Sequence, residues 1–195
     1  MSGAPAAVHV VCLGNPWHGD DGFGRHVFRL LRMRDDLPPA VALFDAGIAG
    51  LDVLPLLEGC AKAVIVDAVR IGAPVGTLRR LAPSDLEPPG GEFSLHELGL
   101  SGLLAALPAV FTQPPDVVVI GAQVGLVRAF SEALSPPLQH VLPAAVALVV
   151  RECSLTRVRR DGPPGRGRAR AGSRAARARS AGRRPRGSHR GLRPP

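Results

Sequence analysis

The sequence predicts a single three-layer α/β domain: a twisted, mostly parallel sheet of about five strands between helices, followed by a disordered Arg-rich tail. Three observations carry this expectation. Short apolar runs alternate with segments of helical spacing in β-α-β-α-β order, which demands parallel strands joined by right-handed crossovers. Acids stand at or just beyond the ends of three of those runs, as Asp20 and Asp21, Asp45 and Asp67. Finally, charge divides the chain: residues 1–150 carry 9 basic and 14 acidic side chains, net −5, whereas residues 151–195 carry 15 and 2, net +13.

The elements follow in order. Val8 to Leu13 reads as a short buried strand, and a helix from about Asp21 to Met33 places Phe23, Val27, Leu30 and Leu31 on one face. After Pro38-Pro39 comes the strand Val41 to Asp45. A turn at Gly47 and Gly50 then leads into helical spacing of Leu51, Leu54 and Leu57, up to Gly59. Ala63 to Asp67 is the third strand, and Val75 to Leu81 is an edge strand. A polar loop from Pro83 to Glu92 precedes a short helix from about Leu98 to Leu107. The apolar strand Val117 to Gly121 and a last helix, Pro136 to Glu152, complete the domain. The domain is therefore expected over 1–152 and the basic tail over 153–195. The tail is Arg, Ala, Gly, Pro and Ser with almost no large apolar side chains, so burial there cannot offset chain entropy.

Composition excludes several classes. Cys12, Cys60 and Cys153 are far apart and form no C-x-x-C pair, which argues against a disulfide framework or zinc ribbon and fits reduced thiols in the cytoplasm. No signal peptide or membrane span is expected. The tail suits non-specific contact with nucleic acid through charge alone, but it contains no aromatic residues for stacking on bases, so a dedicated nucleic-acid role is not expected.

In a parallel sheet the strand ends that carry the acids share one edge, the edge where open α/β sheets bind ligands. An acid placed there is costly unless it is solvated, paired or bound to a cation. A cleft of carboxylates results, with a metal ion as its natural partner. One of Asp20 and Asp21 also suits a plain role as cap of the helix that follows. Of the six histidines, His96 stands at the entrance to a helix, and two carboxylates with one imidazole would leave positions open for water or substrate. His18 and Glu97 are secondary candidates; His9 and His26 pack or face solvent. Ser94 and Cys12 make unconvincing nucleophiles.

Four motifs resemble, in order, those of the hydrogenase maturation endopeptidases: GNPWHGDDGFG at 14–24, DAGIAG at 45–50, VIVDAV at 64–69 and SLHELGL at 94–100. The resemblance covers about residues 8–152. It implies that Asp21, Asp67 and His96 are the catalytic, metal-ligating set. It also implies a nickel-dependent endopeptidase that removes the C-terminal extension from the immature large subunit of a nickel-iron hydrogenase, with the nickel contributed by that substrate. Ile48 departs from the family's usual Thr, and the Arg-rich tail is outside its pattern. The alternatives are a nickel-binding assembly factor that does not cleave, or a Rossmann-type nucleotide binder with Asp45, about 20 residues after Gly24, as the ribose acid. Against the latter, the turn lacks G-x-G-x-x-G and two acids would repel a pyrophosphate.

Overall fold

Five apolar runs pair into one sheet in the computed structural model, which describes residues 8–86, 99–125 and 127–155. The strands are β1 (Val8–Leu13), β2 (Val41–Gly47), β3 (Lys62–Val69), β4 (Leu78–Leu81) and β5 (Asp116–Gln123), in the spatial order β2-β1-β3-β5-β4. All neighbours are parallel except β4, which runs antiparallel to β5 at the edge. The fold class is therefore the one expected.

Side-chain alternation along the strands divides the core into two layers. Val10, Cys12, Val64, Val66, Val118 and Ile120 face α1 (Phe23–Leu31) and α3 (Pro136–Ser154). Val11, Leu13, Ile65, Val117 and Val119 face α2 (Gly99–Val110) and the segment Gly50–Leu57. Burying both faces explains why the three central strands read as continuous apolar runs. Edge strand β2 is only partly buried.

Several expected elements change shape. The segment Gly50–Leu57 is a 3-10 helix, not an α-helix, because Pro55 lies inside it and can donate no backbone hydrogen bond. The first helix begins at Phe23, preceded by a separate 3-10 turn at Gly19–Gly22. Strand β3 runs two residues past Asp67, since Ala68 and Val69 pair with Ala122 and Gln123. Strand β4 starts only at Leu78. The polar loop holds a 3-10 turn at Pro83–Asp85, and its remainder from Glu87, like the tail from residue 156 onward, lies outside the described residues.

One glycine sets how α1 meets the sheet. A Cβ at Gly24 would lie 2.1 Å from the Leu13 carbonyl oxygen and 2.6 Å from that of Val66. Its absence lets the first turn of α1 abut the carboxyl ends of β1 and β3, where the acids are.

At the opposite end, Glu152 of α3 is buried against Lys62, which opens β3. Lys62 Nζ donates to Glu152 Oε2 at 2.6 Å and to its backbone carbonyl at 3.0 Å, while Arg80 Nε of β4 donates to Oε1 at 2.7 Å. The cluster ties α3, β3 and β4 together at the amino edge of β3.

Candidate functional site

The turn after β1 is shaped around Asp21. Gly14 has φ +130°, and a Cβ there would fall 2.0 Å from the Asp21 carbonyl oxygen, so only glycine allows the chain to double back this closely. The Asn15 N–H donates to Asp21 Oδ2 at 3.1 Å, and the Asn15 side chain accepts from the Trp17 N–H at 3.0 Å. These contacts aim the Asp21 carboxylate inward. It lines a cleft of about 210 Å³ together with Leu13, Gly14, Gly47, Ile48, Gly50, Asp67, Gly99 and Leu100.

Asp67 reaches the same cleft from within β3. Among the described residues its one hydrogen bond comes from the Ala68 N–H, at 2.8 Å. Burial pushes the Asp67 carboxyl up to about 7; the Ala68 hydrogen bond pulls it down and the charge of Asp21 pushes it further up. Two carboxylates that sense each other in one cleft and have few partners are suited to gaining a proton or a cation. The structure thus brings Asp21 and Asp67 together. His96 and Glu97 lie outside the described residues; in sequence, His96 stands three positions before Gly99, which lines the cleft. Among the described residues, no three His, Cys, Asp or Glu side chains converge to hold a metal ion.

The other candidates separate from the cleft. His18 is exposed and its backbone pairs with Ser131. His9 Nδ1 is bonded to the Leu56 carbonyl at 2.6 Å and its ring packs on Phe44. Asp45 lies 3.7 Å from Arg25 and is not among the residues lining the cleft, so it does not join the other acids there. Cys12 is buried, and burial, with Asp45 and Asp67 nearby, pushes its thiol far above the ordinary range, which leaves it inert as a nucleophile. No Ser, Thr or Cys is among the residues described as lining the cleft.

The adjacent acid behaves differently. Neither Asp20 nor Asp21 caps the helix that follows them; Gly22 takes that position with no side-chain bond. Asp20 instead binds Ser135, the N-cap of α3, at a separation of 115 residues. Sequence reading gave Ser135 no role, although Ser before Pro136-Pro137 is a readable helix start. A larger hollow of about 520 Å³ beside Asp20 is lined, among the described residues, by Arg128, Ser131 and Ser135 with small and apolar residues; its one described acid is engaged by Ser135.

Comparison with known proteins agrees with this architecture. The family model described as hydrogenase maturation protease matches residues 25–152. Hydrogenase expression/formation protein HupD of Rhodobacter capsulatus is 31% identical over 150 residues, covering 76% of this chain and 71% of that one. Coenzyme F420 hydrogenase subunit delta of Methanothermobacter thermautotrophicus is 31% identical over 159 residues, covering 78% and 98%. In fold, the chain is similar to the hydrogenase maturating endopeptidase HybD from E. coli, with a TM-score of 0.64 at 24% identity over 75% of this chain and 91% of that one. It is also similar to a hydrogenase 2 maturation peptidase from a Thaumarchaeota archaeon, with a TM-score of 0.56 at 32% identity over 76% and 99%. With a family match over residues 25–152, about two thirds of its length, this chain belongs to the hydrogenase maturation protease family.

Proposed function

We propose that this protein is a cytoplasmic endopeptidase that removes the C-terminal extension from the immature large subunit of a nickel-iron hydrogenase, and that it acts once nickel has been inserted into that subunit. The observation that carries the reading is the pairing of Asp21 and Asp67 in one cleft, with the Asp67 carboxyl near 7. Nickel enters as part of the substrate. Asp21, Asp67 and His96 meet it, and the peptide bond beside it is seated only when the metal is present. Fit supports this: carboxylate oxygens and an imidazole suit a divalent ion of this kind, and a carboxyl near 7 gives up its proton in the neutral range.

Hydrolysis needs a polarised carbonyl and an activated water, both of which a divalent ion can supply. The chain's own contribution is positional. Asp21 is held by the Asn15 N–H at 3.1 Å, and Asp67, whose carboxyl sits near 7 before the metal arrives, gives up its proton on meeting it. A covalent nucleophile is disfavoured, since the described lining offers no hydroxyl or thiol.

The test mixes purified protein with nickel-loaded and nickel-free unprocessed large subunit and follows the mass of that subunit. Loss of the C-terminal peptide only in the loaded sample is expected. Asp21→Ala, Asp67→Ala and His96→Ala should each lower the cleavage rate at least ~10³-fold. Tight binding of the loaded subunit with no change in mass would instead support a non-catalytic assembly factor.

A further inference from the structure

Asp20 is 6% exposed, and both of its carboxylate oxygens are committed to one residue. The Ser135 N–H donates to Oδ1 at 2.6 Å and the Ser135 hydroxyl donates to Oδ2 at 2.8 Å. Ser135 caps α3, and the Pro136 and Pro137 that follow have no N–H to offer, so the acid takes the donors available at that helix start. The same turn is stitched to the same segment by main chain: the Gly19 N–H donates to the Ser131 carbonyl at 2.6 Å, and the Ser131 N–H donates to the Trp17 carbonyl at 3.0 Å. The 3-10 turn Gly19–Gly22 is four residues long and has no side-chain cap; the Asp21 N–H reaches the His18 carbonyl at 3.3 Å and the Phe23 N–H closes the turn on the Asp20 carbonyl. The same turn contains Asp21, which faces the cleft.

We propose that Asp20 is a positioning residue: its lock on Ser135 fixes the Gly19–Gly22 turn against the start of α3 and thereby holds the Asp21 carboxylate on the Asn15 N–H and aimed into the cleft. The two adjacent acids divide the work, one binding the fold and the other the substrate. This rests on the role given to Asp21 under Proposed function.

The test compares Asp20→Ala, Asp20→Asn, Ser135→Ala and Asp21→Ala in the full chain. Cleavage of nickel-loaded large subunit is measured together with the amide proton resonance of Asn15, which reports directly on its bond to Asp21. In Asp20→Ala, kcat should fall about 10- to 100-fold with KM within about 3-fold, the size expected for loss of an orienting partner. The Asn15 resonance should move toward its position in Asp21→Ala. Asp20→Asn keeps an oxygen for the Ser135 N–H and an amide for its hydroxyl, and should restore both readouts most of the way. If Asp20→Ala does not fold, Ser135→Ala carries the test, since it removes only the hydroxyl bond, and both readouts should move partway. An unmoved Asn15 resonance, or an unchanged kcat, in a folded variant overturns the proposal. So does an Asp20→Asn variant as impaired as Asp20→Ala. Failure of the underlying reading is separately visible, because Asp21→Ala would then cleave as well as the parent.

Discussion

Glu152 is buried and Asp67 half-buried at opposite ends of the same sheet, and their fates are opposite. Burial acts first on both, pushing each carboxyl up. For Glu152, the hydrogen bonds from Arg80 and Lys62, with their positive charges, overcome that push and hold it below the ordinary glutamate value. For Asp67, a single backbone N–H does not, and Asp21 adds to the rise. The amino end of the sheet is compensated, and the carboxyl end is left wanting a cation. Sites built for chemistry are commonly under-satisfied in this way, at some expense in stability.

The comparison can be broken most forcefully at Glu152. Glu152→Ala strands Lys62, which is itself buried, and should destabilise the domain by about 3–5 kcal/mol in urea unfolding at pH 7. A destabilisation below about 1 kcal/mol would show that the cluster is not compensating anything.

A smaller effect of opposite sign is expected at the other end. Asp67→Asn should raise stability by about 1–3 kcal/mol at pH 8 while cleavage is lost, since it removes a charge that the folded state resists. The pH dependence follows the sign of the shift. The folded carboxyl binds its proton more tightly than the unfolded one, so its contribution is present below the unfolded value near 4 and is lost as pH rises through about 7. Asp67→Asn and parent should therefore converge in melting temperature below pH 4 and diverge between pH 4 and 7. For Glu152 the sense reverses: its contribution is present above the unfolded value and fades on acidification through the lowered folded one.

The smallest effect belongs to the cleft rim. Ile48 is 77% exposed, so Ile48→Thr should change stability by less than about 0.5 kcal/mol. A larger loss would mean that the rim, too, is structurally invested.

The sheet was legible because its central strands are buried on both faces, and runs such as Val64-Ile65-Val66 and Val117-Val118-Val119 have few other readings. Segment ends were less so. Nothing local to VIVDAV reveals that Ala68 and Val69 continue the ladder, because that is decided by Ala122 and Gln123, over 50 residues on. Pro55 is visible in the sequence, within the segment that forms the 3-10 helix. At the site, topology gathers Asp20, Asp21, Asp45 and Asp67 near one edge, because strand ends of a parallel sheet share it; the choice of Asp21 and Asp67 from that group came from the family resemblance. The division between Asp20 and Asp21 did not, because adjacent acids look alike until the tertiary fold offers one of them Ser135. Equally hidden was the isolation of Asp45, which depends on a residue of α1, Arg25.

The order β3-β5-β4 has a consequence for how a growing polypeptide reaches this state. Strand β4 is made before β5 but pairs only with it, so it must wait, unpartnered, until residues 116–123 emerge and slot between it and β3. During that interval β3 presents a bare parallel edge along Ala63 to Val66, among the most apolar stretches of the molecule. A nascent chain stalled at that stage offers other chains a template to extend, and α3 has no finished surface to settle on. Both the pairing of β4 and the covering of the β3 edge thus await one late interior strand.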